Sequence, residues 1–183
     1  MMNNKRNAIE VTCYSKHLGE LLLLGKLFKV KAVNGYVQSI IDESNNVLHV
    51  PATSDNELIV KLKDFLKSYL KTLLKDILEE FGSKVRAKPK AVRIMAMKRK
   101  WGSCSRNKTL IINLATIALP PHLIKYIVAH EITHLITRRH SKTFWSIVKA
   151  LCGEIDLSSL EEFEKQVYEN NLWREILGLK QSK

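Results

Sequence analysis

The 183-residue chain has only three cysteines, Cys13, Cys104 and Cys152. They form no close pair and leave an odd one. That excludes a disulfide-stapled scaffold and makes a reducing cytoplasm the expected compartment. Long apolar runs are missing too: residues 21–24 supply four leucines, against the ~20 residues needed to cross a bilayer, so no membrane span is expected. The opening residues Met1-Met2-Asn3-Asn4-Lys5-Arg6 lead into mixed sequence, and no secretory signal is expected. Internal repeats and low-complexity tracts are absent. What remains is the composition of a globular protein, 45% apolar, with enough length for one good core and a small additional lobe.

Acidic residues are scarce in one half of the chain. Between Gly82 and Lys149 there are 15 Lys/Arg and a single acid, Glu131, whereas the rest of the chain has 15 Lys/Arg and 17 Asp/Glu. The formal net charge of +12 therefore comes from residues 82–149. Such a surface serves solubility, or it favours acidic substrates or a nucleic-acid backbone. No recognition motif accompanies the charge, so both readings stand.

The lone acid lies in His130-Glu131-Ile132-Thr133-His134. Two residues four apart on a helix stand about 6 Å apart along its axis and face the same way. Two imidazoles so placed can converge on one zinc at about 2.0–2.1 Å each. Glu131 sits about 100° further round, beside the metal without being forced onto it. A carboxylate there can take a proton from a water on the metal. Pro120-Pro121 suit a helix start, and Leu123, Ile124, Ile127, Val128 and Leu135 recur at helical spacing, so the motif lies along a core stripe.

A third histidine, His140, follows six residues after His134. On a continuous helix it would be rotated about 240° away. It becomes a ligand if the helix stops near residues 136–139 and the chain folds back. Ser141 is a good N-cap for a second helix, with Phe144, Trp145, Val148 and Leu151 as its stripe and Gly153 at its end. His140 would then occupy the turn between two helices. Three protein ligands leave a fourth position open, as in a catalytic zinc site. The plain alternative is a polar residue in a turn.

Around this centre, residues 7–50 read as strands. Lys26–Val33 is extended, Asn34-Gly35 signals a hairpin into residues 36–41, and Asn45-Asn46 signals a turn into residues 47–50. Ser54-Asp55-Asn56-Glu57 is a capping box for a long amphipathic helix ended by Gly82. A basic connector, residues 84–90, marks a boundary between an N-terminal lobe (1–83) and a catalytic part (84–183) of one domain, 1–183. Residues 92–97 and 110–114 read as short strands, and a final helix starts at Ser158 or Ser159 and runs through Ile176.

Trp101-Gly102-Ser103-Cys104-Ser105, Ile112-Asn113-Leu114, Leu119-Pro120-Pro121, residues 126–131, His140-Ser141 and Phe144-Trp145 form an ordered series. The series resembles the YgjP-type metal-dependent hydrolases, closely over about residues 85–150 and more loosely before them. The chain is more distantly similar to the SprT-like and WLM-type metalloproteases, some of which act on proteins crosslinked to DNA. The resemblance implies a zincin-like α+β fold with short antiparallel strands and the motif on an active-site helix. It also implies one zinc held by His130, His134 and His140, and Glu131 as catalytic residue. The sequence departs from the metzincins, which have glycine where this chain has Thr137, and Arg139 stands where relatives often have asparagine.

The function expected is that of a zinc metallopeptidase acting on a protein or peptide substrate, laid along a strand edge such as residues 110–114. The rivals are a nucleic-acid-associated protein with a structural zinc site, using the basic segment 84–149, and a protease acting on DNA-bound proteins. Cys104 reads as a packed small hydrophobe or, less simply, a fourth ligand. His17, His49 and His122 have no metal-like spacing and read as surface or structural. The physical role of residues 101–104 does not follow from the sequence.

Overall fold

The computed structural model describes residues 17–98 and 100–179. Cys13 and the segment 7–16, read as extended, lie outside the described residues. The chain forms an α+β structure with two small sheets, as expected.

The first sheet holds β1 (His17–Leu23), β2 (Lys26–Val33), β3 (Ile40–Asp42) and β4 (Val47–Pro51), in the order β1-β2-β4-β3. β1 and β2 are antiparallel and turn at Leu24 and Gly25, both at positive φ (51° and 78°). A Cβ on Gly25 would stand 2.7 Å from Pro120 Cγ, so glycine lets this turn sit on the chain that enters the motif helix. The Leu24 and Gly25 amides donate to the Ile117 and Ala118 carbonyls there, both at 2.8 Å.

The expected hairpin at Asn34-Gly35 does not form. Gly35 does turn the chain, at φ 83°. However, β4 inserts between β2 and β3, pairing parallel with β2 and antiparallel with β3. The Val47, Leu48 and Val50 side chains are buried, and an apolar strand gains more from a central position than from the edge. The Asn45-Asn46 turn does join β3 to β4, with Asn46 at φ 51°.

Helix α1 (Asp55–Val85) starts at Ser54, whose hydroxyl accepts from the Glu57 amide at 3.3 Å. Glu57 reaches past Ser54 to accept from the Thr53 amide and hydroxyl, both at 2.8 Å. Leu58, Leu62, Leu66, Leu70 and Leu74 form its buried stripe. The helix does not stop at Gly82 but continues to Val85 and is capped by Arg86 at φ 52°. Gly82 lies within it, where a Cβ would stand 3.1 Å from the Ala87 carbonyl oxygen; the glycine admits the returning backbone rather than ending the helix.

The second sheet has β5 (Ala91–Met95), β6 (Gly102–Cys104) and β7 (Thr109–Asn113), in the order β5-β7-β6. β5 runs parallel to β7 and β6 antiparallel to it, so both sheets are mixed rather than purely antiparallel. A 3-10 helix, Leu114–Ala118, then leads into α2 (Pro121–Thr133), and α3 is Lys142–Cys152.

The expected final helix is two: α4 (Leu160–Glu169) and α5 (Asn171–Ile176). Asn170 breaks it in extended backbone (φ −69°, ψ 123°) and uses its side-chain oxygen to accept from the Trp173 amide at 2.9 Å. Asn170 Nδ2 donates to the Glu20 carbonyl at 2.7 Å, and the buried Trp173 Nε1 donates to the Leu22 carbonyl at 3.1 Å. The core runs without interruption from β1, β2 and β4 through α1 and the 3-10 helix to α2, α3 and α5. No helix among the described residues is long and apolar enough to cross a membrane.

Candidate metal centre

α2 carries Leu123, Ile124, Ile127, Val128 and Ile132 into the core and leaves His130 half-buried at its margin. The helix ends earlier than the sequence suggests, at Thr133, with His134 as its cap. The Thr133 carbonyl accepts from the Ile136 and Thr137 amides, each at 3.0 Å, and so turns the chain back. His140 then lies in the turn ahead of α3, where the Ser141 hydroxyl accepts from the Phe144 amide at 3.3 Å. This double turn is what overcomes the unfavourable 240° rotation.

The result brings His130, His134 and His140 together, with one ring nitrogen from each within 4.8 Å of the others. His140 Nε2 and His130 Nε2 are 3.1 Å apart. Two nitrogens bound to one tetrahedral zinc at about 2.0–2.1 Å stand roughly 3.3 Å apart, so the donor set fits that ion. His134 Nδ1 lies 3.2 Å from the Thr137 carbonyl, which can only accept. The proton therefore sits on Nδ1, and Nε2 keeps its lone pair for a metal. The fully buried Phe144 backs all three imidazoles at centroid distances of 4.9, 4.8 and 4.6 Å. Burial, reinforced by His134 and His140, lowers the His130 pKa to about 4, and burial also lowers that of His134. Both therefore remain neutral donors at pH 7.

Glu131 is 6% exposed. Burial raises its pKa to about 7, with Lys100 acting in the opposite direction. A Cβ placed on Gly102 would lie 2.6 Å from Glu131 Cγ and 3.0 Å from its Oε1. Gly102 thus leaves the space that the carboxylate fills, which gives the stretch 101–104 the physical role its sequence did not reveal.

Three further residues support the centre. Asn113 Nδ2 donates to the carbonyls of Met97 (2.9 Å) and Lys100 (2.8 Å) and to the Tyr168 hydroxyl (3.0 Å), while its Oδ1 accepts from the Met97 and Ala115 amides, both at 3.2 Å. The Trp101 carbonyl accepts from the Asn113 amide at 2.9 Å and the Thr116 hydroxyl at 3.2 Å. Arg138 donates to the carbonyls of Cys104 (3.1 Å) and Ser105 (2.8 Å), tying the ligand turn to β6. Asn113 and Trp101 stood inside recognised motifs, but no spacing rule announces such roles. Arg138 carried no signal beyond its charge.

Cys104 does not join the histidines, and burial holds its thiol above the ordinary range. Of the other histidines, His49 stacks on Tyr36 at 6.0 Å, and neither it nor His122 belongs to the cluster, while the His17 side chain lies outside the described residues. The expected substrate strand, residues 110–114, is corrected. β7 is the middle strand and has both edges occupied. β6 is the edge next to α2. Trp101 and Ser105 turn their backbone bonds toward β7, so alternation points those of Gly102 and Cys104 outward.

The profile of the YgjP-like family, described as a metallopeptidase domain, matches residues 2–160. The chain belongs to the YgjP-like metallopeptidase family. As such it is read as a metal-dependent hydrolase of the metallopeptidase kind, with a histidine triad able to bind a metal. No curated protein matches it. Among solved structures it is similar to the crystal structure of the metallopeptidase zymogen of Pyrococcus abyssi abylysin. The match has 24% identity and a TM-score of 0.37, covering 56% of this chain and 86% of that one.

Proposed function

We propose that the protein is a zinc-dependent peptidase in which His130, His134 and His140 hold the ion and Glu131 is the general base. The supporting observation is the pairing of three convergent imidazoles, from α2, its cap and the turn that follows, with one buried carboxylate on α2, next to a glycine that makes room for it. When bound, zinc would supply a Lewis acid that lowers the pKa of a coordinated water and polarises a carbonyl. Glu131, whose carboxyl burial holds above the ordinary glutamate range in the metal-free protein, would accept a proton at its carboxylate and give it up again to a leaving amine. The outward backbone groups of β6 at Gly102 can pair with an extended substrate and hold its scissile bond beside Glu131.

Only three ligands converge among the described residues. A structural zinc site takes four, so the arrangement favours catalysis. Glu131→Gln tests the reading. Zinc content and fold should persist while peptide hydrolysis falls by roughly 10²–10⁴-fold. Unchanged turnover would remove Glu131 from the chemistry. Loss of zinc in His140→Ala, measured by metal analysis, should accompany it.

A further inference from the structure

Away from the histidines, a groove of about 740 Å³ runs between α1 and β5. Its size is that of a ligand pocket, ~300–1,000 Å³. Lys67, Lys71 and Lys75 line one wall, Lys88 and Arg93 the other, with Glu79 the single acid. All five cations are exposed, and none takes part in an ion pair among the described residues. Between them lie Leu74, Leu78, Val92 and Met95, the last two 40% and 48% exposed.

β5 is the edge of its sheet, on the side opposite β6 and Glu131. The Lys90 amide donates inward to the Lys108 carbonyl at 2.8 Å. Alternation then turns the backbone bonds of Ala91, Arg93 and Met95 outward along the groove. An unpaired edge accepts an added strand.

The spacing of the lysines selects what kind of strand. Lys67, Lys71 and Lys75 are four residues apart on one helix face, a repeat of about 6 Å. Alternate residues of an extended chain repeat at about 6.6–6.8 Å. Acidic groups at every second position of a peptide therefore meet successive lysines, whose stems lie beside Leu74 and Leu78, while the residues between them face the other side of the added strand. A nucleic acid fits less well, because no aromatic ring lines the groove to stack a base.

We propose that this groove is a docking site, separate from the histidine cluster, for an extended peptide with acidic residues at every second position, which adds as a strand to β5. The test uses a fluorescein-labelled hexapeptide alternating glutamate and valine, with anisotropy read on full-length Glu131→Gln protein so that the probe is not cut. Binding should weaken about tenfold or more in Lys71→Glu/Lys75→Glu, with an unchanged melting temperature. Backbone N-methylation of the peptide at alternate positions should abolish binding in one register and spare it in the other.

Equal affinity in the double variant, or tolerance of methylation in both registers, overturns the proposal. So does displacement by an oligothymidylate at equal charge, which would mark a general polyanion surface. A second copy of the chain in the groove, seen as a dimer that excludes the peptide in sedimentation, overturns it as well. The readout needs neither zinc nor hydrolysis, so its failure leaves the peptidase reading untouched.

Discussion

The two sheets of this protein are built on different principles. In the first, Leu21, Leu23, Val30, Leu48 and Val50 are wholly buried, and α1 lays five leucines against the core. In the second, β5 and β6 have no fully buried residue, and β7 is held in register by Asn113 and the Trp101 carbonyl. The first sheet is stabilised mainly by area removed from water, which is tolerant of detail. The second buries Leu110 and Ile112 of its central strand but depends besides on directed bonds and one exact space, which are not. The histidine triad stands on the second kind of support.

Leu48→Ala would break the comparison most forcefully if it failed. It should cost about 2–5 kcal/mol of unfolding free energy, read from urea midpoints, while leaving zinc affinity of the folded chain unchanged. A matching loss of zinc affinity would mean that the two regions are not separable.

Next in size is a pH effect at Glu131, whose pKa is about 7 in the fold against 4.5 as an ordinary glutamate. Below pH 4.5 the carboxyl is protonated in both states and costs nothing. Between 4.5 and 7 the unfolded chain ionises first, so stability falls as pH rises. Above 7 the whole penalty is present, about 3 kcal/mol at ~1.36 kcal/mol per pKa unit. Zinc-free Glu131→Gln should therefore match the natural protein below pH 4.5 and exceed its stability by about that amount above pH 7. Equal stabilities at pH 8 would show that the carboxylate is well solvated.

Gly102→Ala sharpens the contrast at a single methyl. The new Cβ falls within 2.6 Å of Glu131 Cγ, and overpacking of this sort costs about 1–3 kcal/mol. Hydrolysis should drop while the three histidines still bind zinc. Full activity in this variant would release Glu131 from its present position.

Arg138→Ala has the smallest expected effect, about 1 kcal/mol for two exposed charge-assisted bonds to Cys104 and Ser105. Its more telling readout is faster zinc release to a chelator, since the ligand turn loses its tie to β6.

The same division governs what could be read without coordinates. The α1 stripe, the Ser54 cap and the Asn45-Asn46 turn announced themselves through periodicity and turn chemistry. His130, Glu131 and His134 announced themselves through spacing, and His140 through the N-cap that follows it. The order of strands did not, because nothing local says that β4 inserts between β2 and β3. Gly82 misled for a physical reason: glycine serves close approach as well as helix ends, and one letter does not distinguish the two. Asn170 misled in the opposite sense, since a single capping side chain broke a stripe that periodicity carried through. Gly102, Asn113 and Arg138 act across gaps of 13 to 55 residues, beyond the reach of any pattern along the chain.

The bonds from Asn170 to Glu20 and from Trp173 to Leu22 span 150 and 151 residues. Closing a loop that long costs about 4 kcal/mol of chain entropy before any contact rewards it. During synthesis at ~5–20 residues per second, β1 leaves the ribosome roughly 8–30 s ahead of α5. For that interval the Leu22 carbonyl has no indole to accept from, and β1 lacks the helix that covers it. The histidine turn, made within eleven residues, assembles on a far shorter timescale. In the order of folding, the three histidines can be together while β1 and α5 have yet to meet.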